Sequence, residues 1–269
     1  MVKKLLKYEF ISYLRTLTPM YLILLAIGLF NRVLQFFEND HFSYDIVFVS
    51  SLIALIISAI VCLVMTEVIG ITRFYKNLYS SEGYLSFTLP VTAGQHLFAK
   101  LFTLIVFTLL ALVATLASLS IAAMGEMLVE IFKAAGYLFK QAYEMVGIHT
   151  VFFIIEVIVM LLVALIYGYL LYYSCITIGQ TAKKNRILAA FGVYFVYYAI
   201  TQVFGTIIAI VGTVFGQAGV FEALGRVMEQ HPIPTMHSFF LICILFYAAL
   251  AVAFYFINRY FMNKKLNLE

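Results

Sequence analysis

Residues 151–178 read Val151-Phe-Phe-Ile-Ile-Glu-Val-Ile-Val-Met-Leu-Leu-Val-Ala-Leu-Ile-Tyr-Gly-Tyr-Leu-Leu-Tyr-Tyr-Ser-Cys-Ile-Thr-Ile178, with one charge, Glu156, in the whole run. A helix rises about 1.5 Å per residue and a bilayer's hydrocarbon core is about 30 Å thick, so roughly 20 apolar residues cross it. This stretch is long enough and apolar enough. Five others pass the same test, near Leu17–Phe36, Ile46–Thr72, Leu101–Met124, Ile187–Phe215 and Phe239–Met262. The sequence therefore predicts an all-α integral membrane fold with six transmembrane helices, residues 1–269 forming a single transmembrane domain. Composition agrees. Of 269 residues, 64% are hydrophobic and 11% charged, against about 45–50% and roughly 25% in soluble domains. That balance excludes a soluble enzyme, a disordered chain and a nucleic-acid binder. Trp is absent, so the 19 Tyr and 26 Phe must supply the interfacial aromatics.

Lys and Arg orient such a chain, because they are enriched on the cytoplasmic side. Lys3, Lys4, Lys7, Arg15, Arg73, Lys76, Lys100, Lys183, Lys184, Arg186, Arg259, Lys264 and Lys265 fall on one side of the predicted spans. Only Arg32, Lys133, Lys140 and Arg226 fall on the other, together with Glu38, Asp40, Asp45, Glu126, Glu130, Glu144, Glu222 and Glu229. Both termini are expected on the cytoplasmic side of the membrane. The opening Met1-Val-Lys-Lys reads as part of an amphipathic helix and not as a cleavable signal.

Between the spans lie four segments of different character. Residues 1–15 place Val2, Leu5, Leu6, Phe10, Tyr13 and Leu14 at helical spacing, with Lys3, Lys4, Lys7, Ser12 and Arg15 facing away, the pattern of a helix lying in the interface. Residues 73–90 are too long for a tight turn and too aromatic for a solvated linker. Pro90 stops any helix there, and Thr92 is placed to cap the next one. Residues 125–147 predict an outer amphipathic helix with the stripe Leu128, Ile131, Phe132, Ala135, Leu138, Phe139 and Ala142. Residues 216–234 are punctuated by Gly and Pro in a way that permits a re-entrant pair.

Chemistry of the familiar kinds is missing. No Gly-x-x-x-x-Gly-Lys-Ser/Thr phosphate loop, His-Glu-x-x-His or Gly-x-Ser-x-Gly occurs, so neither nucleotide binding nor hydrolysis is expected of this chain. The five histidines are scattered and the three cysteines, Cys62, Cys175 and Cys243, sit inside apolar runs, so no metal site is expected. Two carboxylates lie within spans, Glu67 and Glu156. A charge at the bilayer centre costs at least about 2.5–3.5 kcal/mol, which makes such residues functional candidates. Both lie near an interface, and Lys100 lies at a depth that suits pairing with Glu67. Gly212 and Gly216 form a small-xxx-small pair and a candidate dimer seam.

The run Phe74-Tyr75-Lys76-Asn77-Leu78-Tyr79, followed by Glu82-Gly83-Tyr84-Leu85-Ser86-Phe87-Thr88-Leu89-Pro90-Val91, resembles the segment after the second span in permease subunits of Gram-positive ATP-binding-cassette exporters. In that family the permease has six spans and the ATPase is a separate polypeptide. The resemblance implies that this segment is a coupling helix, with Arg73, Lys76, Asn77, Leu78, Tyr79, Glu82, Gly83 and Tyr84 contacting the ATPase. It further implies that ATP and Mg sit on that partner, that a second permease copy or a homologous permease completes the machine, and that the cargo is a hydrophobic or amphipathic peptide, lipid or drug. The alternative is an ATP-independent secondary transporter or channel, and an intramembrane enzyme is a distant third.

Overall fold

The computed structural model describes residues 2–37, 42–80, 83, 84, 88, 90–123, 125–217 and 219–264. Among them it contains helices and no strand. In chain order the helices are α1 (Val2–Gln35), α2 (Phe42–Tyr79), α3 (Ala93–Ala122), α4 (Glu126–Val146), α5 (His149–Gly179), α6 (Arg186–Gln217), α7 (Val220–Gln230) and α8 (Pro232–Lys264). Six of these, α1, α2, α3, α5, α6 and α8, are long and apolar enough to cross a membrane. Each of the six predicted spans lies mainly within one of them. The chain divides into two compact units, residues 1–139 and 140–269.

In the first unit α1, α2 and α3 pack on one another. The predicted interfacial helix is here continuous with the first span. One face, Glu9, Tyr13, Leu17, Leu24, Gly28 and Asn31, is buried along the whole of α1, so ending the helix at residue 15 would break that face in two. Pro19 lies inside α1. Having no amide hydrogen, it leaves the Arg15 carbonyl without its helical donor. At 34 residues, α1 is about 51 Å long, well beyond the roughly 30 Å of a hydrocarbon core.

The facing surface of α2 is a stripe of one residue per turn: Ser51, Leu55, Ala59, Cys62, Thr66, Gly70, Phe74 and Leu78 are all buried. Spacings of three and four keep these positions on one side of a helix. Two glycines set how closely the helices approach. A Cβ at Gly28 would lie 2.7 Å from the Ser118 carbonyl oxygen, and Ser118 Oγ donates to Leu24 O at 2.8 Å. A Cβ at Gly70 would collide with the Leu104 side chain. α3 begins as its sequence predicts: Thr92 Oγ1 accepts from the Gln95 amide at 3.4 Å, and Gln95 Oε1 accepts from the Thr92 amide at 3.0 Å, a reciprocal capping box.

In the second unit α5 packs on α8 and on α6. Gly179 lets α6 come close: a Cβ there would lie 2.6 Å from the Ala190 nitrogen. Asn258 of α8 is fully buried. Its Nδ2, with two hydrogens, lies 2.7 Å from Ser174 Oγ, 2.9 Å from Phe254 O and 3.0 Å from Leu170 O, and its Oδ1 accepts from Thr177 Oγ1 at 3.0 Å. Such bonds hold helices together where neither water nor the hydrophobic effect does so. The predicted outer helix forms as α4, exposed throughout residues 129–141. Within residues 216–234 the structure has a left-handed Gly219 (φ 78°) and the short helix α7.

Candidate functional site

The segment expected to meet a partner starts inside α2, which continues to Tyr79 instead of ending at the first charge, Arg73. That changes the role of several residues. Phe74 and Leu78 are completely buried and Tyr79 nearly so, with the Phe74 and Tyr79 rings meeting edge to face at 5.9 Å. Leu78 and Tyr79 therefore belong to the core of the first unit. The sequence reading placed them among the residues contacting a partner, with the second span ending at Thr72.

Arg73 is engaged within the same unit. Its Nη1 donates to Ser12 Oγ, and its Nη2 donates to Ser12 O at 2.9 Å and Thr16 Oγ1 at 2.6 Å. Its guanidinium lies 4.9 Å over the Tyr13 ring, a cation–π geometry. The fork thus fastens the end of α2 to α1. Asn77 is half-buried, while Lys76 points outward and Tyr84 is 70% exposed. Gly83 is buried, and its amide donates to Ser80 O at 2.8 Å. Glu82 lies outside the described residues. Among the described residues of this segment Lys76, Tyr84, Thr88 and Pro90 are exposed, whereas Phe74, Leu78 and Tyr79 are buried and Arg73 is tied to α1.

Below this end the first unit holds a buried ion pair. Lys100 Nζ donates to Glu9 Oε1 at 2.6 Å, with 4% and 9% of the two side chains exposed. Glu9 was not singled out from the sequence, although it is the one acid on a lysine-rich helix. Glu67 accepts from Thr108 Oγ1 at 3.5 Å. Around Tyr13 an aromatic cluster closes the packing: its ring stacks on Phe107 at 5.1 Å, and Phe10 meets Phe107 at 5.5 Å.

In the second unit Glu156 is part of a hydrogen-bonded chain that sequence reading had left as isolated residues. His237 Nδ1 lies 2.7 Å from Glu156 Oε1, and His237 Nε2 lies 3.0 Å from His149 Nδ1. Phe153 stacks on His237 at 4.3 Å. The other carboxylate oxygen, Glu156 Oε2, is buried without a hydrogen-bond partner among the described residues. No group of three or more His, Cys, Asp or Glu among the described residues has the geometry to hold a metal. Gly212 and Gly216 sit half-buried on α6, whose other residues in that stretch are mostly exposed.

Fold and sites together define a multi-pass membrane protein of six long apolar helices, with intramembrane polar contacts inside each unit. No protein-family model, no curated protein and no solved structure matches the chain.

Proposed function

We propose that the chain is the membrane subunit of an exporter driven by a separate ATPase, and that the ATPase docks on the cytoplasmic end of α2. The observation that carries this reading is the construction of that end. Phe74, Leu78 and Tyr79 are locked into the core and Arg73 is tied to α1, while Lys76 and Tyr84 face outward. A force applied to Lys76 would pass into a packed helix and not into a slack loop. The Lys and Arg distribution supports having this end, and both termini, on the side where ATP is available. With no phosphate loop in the chain, nucleotide and Mg fall to the partner. Six spans are half of a two-permease machine, so a second copy or a similar permease completes it, with Gly212 and Gly216 as the candidate seam. The apolar helix faces suit a hydrophobic or amphipathic cargo moved by alternating access.

A rival reading, an ATP-independent carrier, draws on one observation: the Glu156–His237–His149 chain is of the kind that marks proton pathways. Transport that survives ATP depletion would favour it. The docking reading is tested on the exposed residues alone. Tyr84→Asp combined with Lys76→Glu is expected to abolish co-purification of the ATPase, because a few central anchors carry most of an interface's affinity. Membrane insertion and thermal stability of the variant should match the parent. Undiminished co-purification would place the docking surface elsewhere.

A further inference from the structure

The Glu156–His237–His149 chain joins the first two turns of α5 to the first two turns of α8. A neutral imidazole has one donor nitrogen and one acceptor, whereas an imidazolium has two donors and no acceptor. The 3.0 Å contact between His149 Nδ1 and His237 Nε2 requires one of those nitrogens to lack its proton. Two states satisfy it. Either both rings are neutral, or one is cationic and donates to the other. In both, His237 Nδ1–H donates to the Glu156 carboxylate. When both rings are cationic, two N–H groups and two like charges face each other across 3.0 Å, and the contact cannot form.

We propose that this chain is a proton-operated latch between the His149 end of α5 and the Pro232 end of α8. It is closed while the two imidazoles share at most one positive charge and open when both are cationic. Glu156 holds His237 in register and balances the single charge of the closed state. The surroundings leave the decision to the histidines. α6 carries no titratable side chain from residue 199 to 217. α7 contributes Glu222, Arg226 and Glu229, all exposed, and His231 at its C-terminal cap is exposed as well. The end of α4 brings Tyr143 and Glu144, also exposed. His149 and His237 are only half-buried, so protons reach them from the aqueous side of that interface. The latch does not depend on the docking reading, because it lies wholly in the second unit.

The test uses the full chain in nanodiscs on a cysteine-free background, with spin labels at the exposed positions Ile148 and Met236. Between about pH 8 and pH 5, the interval in which histidine changes charge, the label-to-label distance distribution should broaden and lengthen in the parent. In His149→Phe, which keeps a ring against Phe152 and removes the second proton site, the distribution should be the same at both ends of the interval. A parent distribution unchanged by pH, or an equal response in His149→Phe, overturns the latch. Should His149→Phe not fold, the ¹⁵N spectrum of the parent's histidines decides. A shared N–H···N signal at the alkaline end, lost as both rings become cationic, supports the latch. Independent titration of two freely exchanging imidazoles overturns it.

Discussion

Glu9→Leu will unfold much of the first unit. The substitution takes from the Lys100 ammonium the carboxylate that sits 2.6 Å away in a site almost closed to solvent. Removing one partner of a buried ion pair costs about 3–5 kcal/mol, because the remaining charge stays in a site almost closed to solvent without its closely paired counter-charge. Total stabilities of about 5–15 kcal/mol leave little margin for such a loss. Lys100→Leu alone should do comparable damage. The double variant Glu9→Leu, Lys100→Leu removes both charges together, and replacing a buried pair by apolar residues is often neutral or stabilising. Thermal unfolding of the purified chain in detergent should therefore show two low midpoints for the single variants and recovery for the double. Additive losses would mean that the pair does not act as a unit.

Leu78→Asp is the second large effect. Leu78 is completely buried beside Phe74, one turn along the stripe of α2 that packs within the first unit. Truncating a core leucine to alanine costs about 2–5 kcal/mol. Aspartate adds the cost of burying a carboxylate that has no partner prepared for it. The expected result is loss of folded protein, seen as aggregation on size-exclusion chromatography. A variant that folds with the parent's midpoint would show that this end of α2 is not core. Leu78→Asp is accordingly a poor probe of docking, since any lost interaction would follow from lost structure.

The residues explain which parts of this account were readable from sequence. The six helices were legible because an apolar run of bilayer length is a local signal, as residues 151–178 show. The Thr92 and Gln95 cap was legible for the same reason, three residues apart. The stripe Cys62, Thr66, Gly70, Phe74, Leu78 was also present in plain helical spacing. It was missed because Arg73 marks a membrane edge and was taken to end the span, whereas its guanidinium finds acceptors on α1 at Ser12 and Thr16. The ion pair of Glu9 with Lys100 spans 91 positions and the hydrogen bond of Glu156 with His237 spans 81. No periodicity connects residues so far apart, so Lys100 and Glu156 appeared as charges without these partners and Glu9 was not singled out at all. Lys100 was matched by depth to Glu67, and its 2.6 Å contact with Glu9 was not foreseen. Tyr84 remained a candidate contact throughout, and it is the exposed aromatic among the described residues of that segment.

In the docking reading another polypeptide, one that binds ATP, sits on the end of α2. A photo-crosslinking amino acid placed at Tyr84 in native membranes tests it most directly, because that side chain projects away from the core. Irradiation should yield one dominant adduct, and mass spectrometry should identify in it a soluble protein carrying a phosphate loop, with a yield that changes when ATP is added. Adducts confined to lipid or to the chain itself, with or without ATP, would contradict the account.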